Sequence, residues 1–329
     1  MSPILTATRL NSSPGSPSCN PAAHRYTLSA RDNKNGGEAA DQQYAERIIS
    51  DFKNKVVIVT GAGRGLGRSH ALEFASRGAR VVVNDLGGAV DGTGTGNTAQ
   101  AVVDEIVDAG GIAIANTCSV AEPQQAQAIV DDAVTAFGTV DIVVNNAGIL
   151  RDKTFANVTF ENFQAVLDVH LMGSVYVTRA AWPILSAKQW GRVVLTSSGS
   201  GIFGNFGQAN YAAAKMALVG LMNVLRLEGG RKGIRVNCLA PGATTRMTQN
   251  LDRNRGRPSS VSPAVLYLCS ENAPNGIILQ AVGGSYAIME TRITSGISLG
   301  EDVTYEEFLS HVDELIADDE FHPHADRLR

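Results

Sequence analysis

Four cysteines, Cys19, Cys118, Cys238 and Cys269, are too few and too widely spaced for a disulfide framework, and no CxxC pair marks a zinc site. They read as reduced thiols, which points to a reducing compartment and a cytoplasmic protein, and no metal is expected. No apolar run approaches the roughly 18 residues that a membrane-crossing helix needs. Positive charge is not in excess either. Lys and Arg number 28 against 32 Asp and Glu, a net charge of −4 that argues against a nucleic-acid-binding surface. With 44% of its 329 residues hydrophobic, the chain has material for a substantial core.

Acids are missing altogether from Met1 to Arg31, where Ser, Pro and Asn predominate without helical or strand periodicity. Residues 1–50 are expected to form a disordered extension. An arginine- and serine-bearing, acid-free leader also fits an organellar transit peptide, but Pro3, Pro14, Pro17 and Pro21 spoil an amphipathic helix. A start codon placed too far upstream is a third reading. The final Arg327-Leu328-Arg329 does not match an SKL-type peroxisomal address.

From Lys55 onward short apolar runs alternate with helical patterns. Strands are expected at Val56–Thr60, Arg80–Asp85, Ile112–Asn116, Ile142–Asn145, Arg192–Ser197, Arg235–Ala240 and Ile277–Val282. Several are rich in Val and Ile without strict alternation, as in strands covered on both faces. Ala126, Ile129, Val130, Ala133, Val134 and Phe137 carry the i, i+3, i+4, i+7 stripe of a helix with one buried side. This alternation predicts a doubly wound parallel sheet of seven strands with helices on both faces, in one domain over residues 51–290. Residues 291–329 read as a C-terminal extension with a short amphipathic helix, Thr304–Ile316, its Phe308, Val312 and Leu315 facing inward.

Directly after the first expected strand comes Thr60-Gly61-Ala62-Gly63-Arg64-Gly65-Leu66-Gly67, then a helix. Such a turn needs residues that tolerate positive φ and let backbone amides approach a pyrophosphate, and the helix start favours that anion. The second strand ends at Asp85, placed to accept hydrogen bonds from adenosine ribose hydroxyls and to repel a 2′-phosphate. NAD is therefore expected over NADP, with Arg64 as the counter-signal, since a basic residue in the turn can pair with that phosphate. The fourth strand runs into Asn145-Asn146-Ala147-Gly148, where small residues allow a nicotinamide ribose close to the strand end and the amides can pin neighbouring backbone.

Tyr211 and Lys215 stand four apart, on one face of a helix. A tyrosine is a poor base at neutral pH, and a neighbouring ammonium favours its phenolate. The pair alone is a weak signal. Ser198, thirteen residues upstream at a strand end, strengthens it.

These motifs in this order resemble the short-chain dehydrogenase/reductase family over about Phe52 to Tyr286, which implies a Rossmann-type fold. Asn84-Asp85-Leu86-Gly87-Gly88, Ile149-Leu150-Arg151-Asp152, Gly204 to Tyr211 and the Thr-Arg-Met-Thr at 245–248 are similar to its (3R)-hydroxyacyl-CoA dehydrogenase modules. The sequence looks like that module alone. The resemblance implies that Tyr211 exchanges the proton with the substrate oxygen and that Ser198 hydrogen-bonds that oxygen. It also implies that Lys215 holds the nicotinamide ribose and lowers the pKa of Tyr211. His170 stands where most of the family has an asparagine that holds a proton-relay water. A neutral imidazole can still bridge a water, and plain helix packing is the alternative.

Cys118 replaces an aspartate that contacts adenine in these relatives, so either Ser119 or backbone near Val120 supplies that contact, or NAD binds more weakly. After Pro241-Gly242, Thr244 and Thr245 are both candidates for the nicotinamide carboxamide. The basic stretch from Arg246 to Arg257 is expected over the substrate cleft. There Arg253, Arg255 and Arg257 either grip coenzyme A phosphates or lie in a solvated loop. The implied activity is an NAD-dependent (3R)-hydroxyacyl-CoA dehydrogenase, a homodimer or homotetramer that pairs through helices near Glu161–Leu185 and Asn210–Arg226. The rivals are a reductase of steroids, simple alcohols or acyl-carrier-protein thioesters, and a non-catalytic dinucleotide-binding regulator.

Overall fold

The computed structural model describes residues 52–246, 256–318 and 321–323. These fall within one compact unit, residues 49–329. The expectations for residues 1–50, Cys19, Arg253, Arg255 and the last six residues lie outside the described residues.

Seven parallel strands form the body of the sheet: β1 (Val56–Thr60), β2 (Arg80–Asn84), β3 (Ile112–Asn116), β4 (Ile142–Asn145), β5 (Gly191–Thr196), β6 (Ile234–Gly242) and β7 (Ile278–Val282). Their order is β3-β2-β1-β4-β5-β6-β7, so the chain reverses direction across the sheet between β1 and β4. Loops diverge at such a switch point and leave a crevice at the carboxyl ends of the strands. Alternating side chains feed two cores. Val57, Val59, Val81 and Val83 pack with α1 (Gly65–Ser76) and α2 (Thr98–Asp108) on one face. Val56, Ile58, Val82 and Val143 pack on the other with α3 (Pro123–Phe137), α5 (Gly173–Lys188) and α7 (Ala209–Gly230). This double burial explains the apolar runs without alternation.

The sheet has eight strands, one more than expected. After β7, Gly283 and Gly284 adopt φ of +56° and +87°, and the chain returns antiparallel as β8 (Ser285–Met289). A two-residue hairpin needs positive φ at both central positions, which glycine adopts without strain. The C-terminal extension also differs. In place of one amphipathic helix it has, well after α8 (Ser262–Cys269), two short ones, α9 (Tyr305–Ser310) and α10 (Val312–Ala317), and Phe308 is exposed rather than inward. A small antiparallel pair joins β9 (Arg292–Thr294) to β10 (Phe321–Pro323).

The helix expected over Glu161–Leu185 is not continuous. It is α4 (Phe160–Leu167) and α5, with a π-helical turn at Asp168–Met172 between them. π-turns insert one residue and often mark functional sites. This one carries His170.

Candidate active site

The glycine turn after β1 is held by the end of β4. Asn146 Nδ2 donates to the carbonyls of Thr60 and Gly61 at 2.9 and 3.0 Å, and Thr60 Oγ1 accepts from the amides of Asn146 and Ala147 at 3.0 and 3.1 Å. Contact this close leaves no room for side chains. A Cβ on Gly67 would lie 2.2 Å from the Gly61 carbonyl oxygen, and one on Gly61, whose φ is +63°, 2.7 Å from Ala147 Cα. α1 starts at Gly65 behind Arg64 with no side-chain cap, so its first-turn amides have no capping side chain. Bare amides, a helix dipole and glycines that let a ligand approach fit a pyrophosphate. Leu66 is half-buried beside the turn and Arg64 is exposed.

Asp85, one residue beyond β2, leans back onto this turn. Its Oδ2 accepts the Gly63 amide at 2.8 Å, while Oδ1 accepts the Gly87 amide at 2.7 Å and the Thr98 hydroxyl at 3.1 Å. A carboxylate beside the turn fits a ribose diol better than a phosphate. At the end of β3 the Cys118 carbonyl accepts from Asn84 Nδ2, and the Ser119 amide bonds Gln125. Val120 is buried against Gly173, so its side chain belongs to the core and only its backbone is left to contact a cofactor.

The residues expected to do chemistry converge at the ends of β4 and β5. Ser198 caps the short α6 (Gly199–Phe203), and its Oγ accepts the Ser200 amide at 3.1 Å, which leaves the hydroxyl hydrogen to donate. Tyr211 and Lys215 lie one turn apart on α7, with the Lys215 ammonium 5.5 Å from the Tyr211 ring centroid. Lys215 is 3% exposed, and its Nζ donates to the Thr196 carbonyl. Burial lowers its pKa from 10.5 to about 7. Asn210 anchors the start of this helix, accepting the Tyr211 amide at 2.8 Å and donating to the Arg151 carbonyl at 3.1 Å.

His170 joins them from the π-turn. Its ring meets Tyr211 edge-on, with centroids 5.1 Å apart. Nε2 lies 2.8 Å from the Ile149 carbonyl and 3.1 Å from the Ile149 amide, and the tautomer selects which bond forms. Nδ1 is buried without a protein partner among the described residues. Burial first, then the Lys215 charge, holds the His170 pKa well below 6.5, so the ring is neutral at pH 7. It fits only because residue 148 is glycine, since a Cβ there would lie 2.3 Å from His170 Cε1.

β6 ends in Pro241-Gly242, and Gly242 packs on Val282. Thr245 faces the glycine turn, 3.6 Å from where a Gly65 Cβ would be, while the Thr244 amide is tied to the Gly256 carbonyl. Arg246 reaches across to the Gly88 carbonyl, and Arg257 is exposed. Thr98, Ile149, Thr196 and Asn210 were not anticipated. Each acts through a contact between segments distant in sequence, or through backbone, so its role is not legible locally even where, as for Ile149 and Asn210, the segment itself carries the resemblance. Among the described residues no cluster has the composition of a metal site, and no helix is long and apolar enough to cross a membrane.

The site has counterparts. The chain is 53% identical, over 70% of its length and 83% of the relative's, to a protein of Mycobacterium tuberculosis described as a short-chain type dehydrogenase/reductase. It is 48% identical to the mouse peroxisomal multifunctional enzyme type 2 over 71% of its own length but only 32% of that enzyme's. The solved structure of a 7α-hydroxysteroid dehydrogenase, complexed with NADH and 7-oxo glycochenodeoxycholic acid, superposes with a TM-score of 0.65 at 31% identity. It covers 72% of this chain and 96% of that one. Residues 55–256, which hold the glycine turn, Asp85, Ser198, Tyr211 and Lys215, match the model of the short chain dehydrogenases, and the chain belongs to that oxidoreductase family.

Proposed function

We propose that the protein is an NAD-dependent dehydrogenase that interconverts a (3R)-hydroxyacyl-CoA and its 3-oxo form. The observation that carries the chemistry is that Tyr211 packs against both the Lys215 ammonium and the neutral His170 ring, while Ser198 stands at the end of β5 with its hydroxyl hydrogen left to donate. Tyr211 gives or takes the proton at the substrate oxygen, and Ser198 donates a hydrogen bond to that oxygen as charge develops. Lys215 favours the phenolate of Tyr211 through its charge and hydrogen-bonds the nicotinamide ribose. His170 Nδ1, buried without a protein partner among the described residues, suits a proton-relay water. A bound nicotinamide dinucleotide supplies the hydride acceptor or donor. Gly61, Gly65, Leu66, Gly67 and the start of α1 hold its pyrophosphate, Asp85 its adenosine ribose, and Ser119 with the Val120 backbone its adenine. Asn146, Ala147, Gly148, Pro241, Gly242 and Thr244 line the nicotinamide end.

The choice of NAD rests on Asp85, whose charge opposes a 2′-phosphate at the place where three hydrogen bonds hold it. The acyl-CoA substrate rests on the similarity to the multifunctional enzymes, supported by the exposed Arg246 and Arg257 in the segment after β6. The test is NAD reduction with a panel of 3-hydroxyacyl-CoAs, steroids and simple secondary alcohols, on wild type and Tyr211→Phe. Turnover of the acyl-CoAs is expected, with a loss of at least about 10²-fold in the variant. If steroids or simple alcohols are turned over and the thioesters are not, the substrate reading fails. If Tyr211→Phe keeps more than about a tenth of the activity, the proton-transfer role fails.

A further inference from the structure

We infer that Thr98 is a positioning residue for dinucleotide preference, acting through Asp85. The inference rests on the NAD reading and extends it to a residue that does not touch the cofactor's reacting end. Each carboxylate oxygen has two acceptor positions. At Asp85, Oδ1 is filled by the Gly87 amide and the Thr98 hydroxyl, whereas among the described residues Oδ2 accepts the Gly63 amide alone, which leaves one acceptor position for a ligand. That position lies on the oxygen facing the glycine turn. A ribose hydroxyl can donate to it. A 2′-phosphate brings no hydrogen there and meets the negative charge instead.

The fold goes to some length to return Thr98 to Asp85. The loop between them, Leu86 to Asn97, is glycine-rich and closes at a narrow neck. The Gly96 amide bonds the Leu86 carbonyl at 3.1 Å, and a Cβ on Gly87, whose φ is +82°, would sit 2.3 Å from Gly96. The neck delivers Thr98 as the first residue of α2, whose N-cap Asn97 makes no side-chain cap. The charge of Asp85 therefore faces an uncapped helix start, which favours it. Thr98 also reaches the turn itself, since a Cβ on Gly63 would lie 2.4 Å from its Oγ1. Of the three donors that orient Asp85, Thr98 is the one that comes from a side chain. It sets which face of the carboxylate meets the ribose.

The experiment is calorimetric titration of the full chain with NADH and with NADPH, for wild type, Thr98→Val, Thr98→Ser and each threonine variant combined with Asp85→Ala. Thr98→Val keeps the volume and removes the hydroxyl. It is expected to weaken NADH binding about tenfold, the order of one charge-assisted hydrogen bond, without weakening NADPH. The NADH preference should contract accordingly, and Thr98→Ser should retain it. In the Asp85→Ala background Thr98→Val should change the preference by less than about twofold, because the residue it acts through is gone. If Thr98→Val does not fold, Thr98→Ala carries the same test. An unchanged preference in Thr98→Val, or an equal contraction with Asp85 already removed, overturns the inference. A wild type that binds NADPH more tightly than NADH overturns the NAD reading beneath it.

Discussion

Lys215→Met should make the protein more stable while abolishing its activity, because the lysine sits where folding alone would not put a cation. It is 3% exposed and its pKa is lowered from 10.5 to about 7, mainly by burial. A depression of that size corresponds to about 5 kcal/mol of burial cost for the ammonium at 1.36 kcal/mol per pH unit. Methionine matches the stem and removes the charge, but it leaves the Thr196 carbonyl without its donor, at about 1–3 kcal/mol. A net gain of about 2–4 kcal/mol remains, or at least about 4 °C in midpoint for a domain of this size.

The sign also fixes a pH dependence. The folded pKa lies below the unfolded one, so between about pH 7 and 10.5 the unfolded chain binds more protons and wild type gains stability as pH rises. The advantage of Lys215→Met is therefore full below pH 7 and shrinks through this window. Urea unfolding of the dinucleotide-free protein at pH 6.5, 8 and 9.5 measures it, alongside kcat. A variant less stable than wild type at pH 6.5, or a gap that does not narrow with pH, would refute the reasoning.

Gly148→Ala should displace His170 and cost about 1–3 kcal/mol through overpacking, with much of that regained in Gly148→Ala/His170→Ala; denaturant midpoints report both. Asp85→Ala should narrow the ratio of kcat/KM for NAD over NADP, and a wild-type preference for NADP would make Arg64 the deciding residue. His70 is buried with its pKa lowered to about 3 by desolvation, so the unfolded chain binds more protons between about pH 3 and 6.5 and stability falls as pH drops through that range. His70→Asn should lose about 2 kcal/mol less than wild type between pH 7 and 5, read by urea midpoints. Light scattering at micromolar concentration should show a symmetric oligomer, because α7 exposes Met216, Val224 and Leu227, α6 exposes Phe203, and loops expose Phe155 and Phe206; a monomer would reject that.

Much of the sheet was legible because its signal is local. Val56–Thr60, Ile112–Asn116 and Ile142–Asn145 begin and end where the sequence pattern placed them, since runs of branched residues bounded by turns have few other uses. β8 was legible too, in Val282-Gly283-Gly284-Ser285, a two-glycine hairpin signal that the seven-strand expectation did not use. The π-turn was not. Its extra residue leaves the helical stripe on either side intact, and only the packing of His170 beneath Gly148 shows what the insertion accommodates.

The sequence by itself determined the order of strands and helices, the glycine turn and the pairing of Tyr211 with Lys215, since each depends on neighbours within a few residues along the chain. Tertiary structure alone decided which atoms those residues meet. Ile149 holds His170, the Thr196 carbonyl takes the Lys215 ammonium, and Thr98 closes on Asp85 across a glycine neck. The reason is that burial and hydrogen bonding are properties of the surroundings. A lysine loses its ordinary pKa only when segments from β5, α6 and α7 shut water away from it, and no local pattern records that they will.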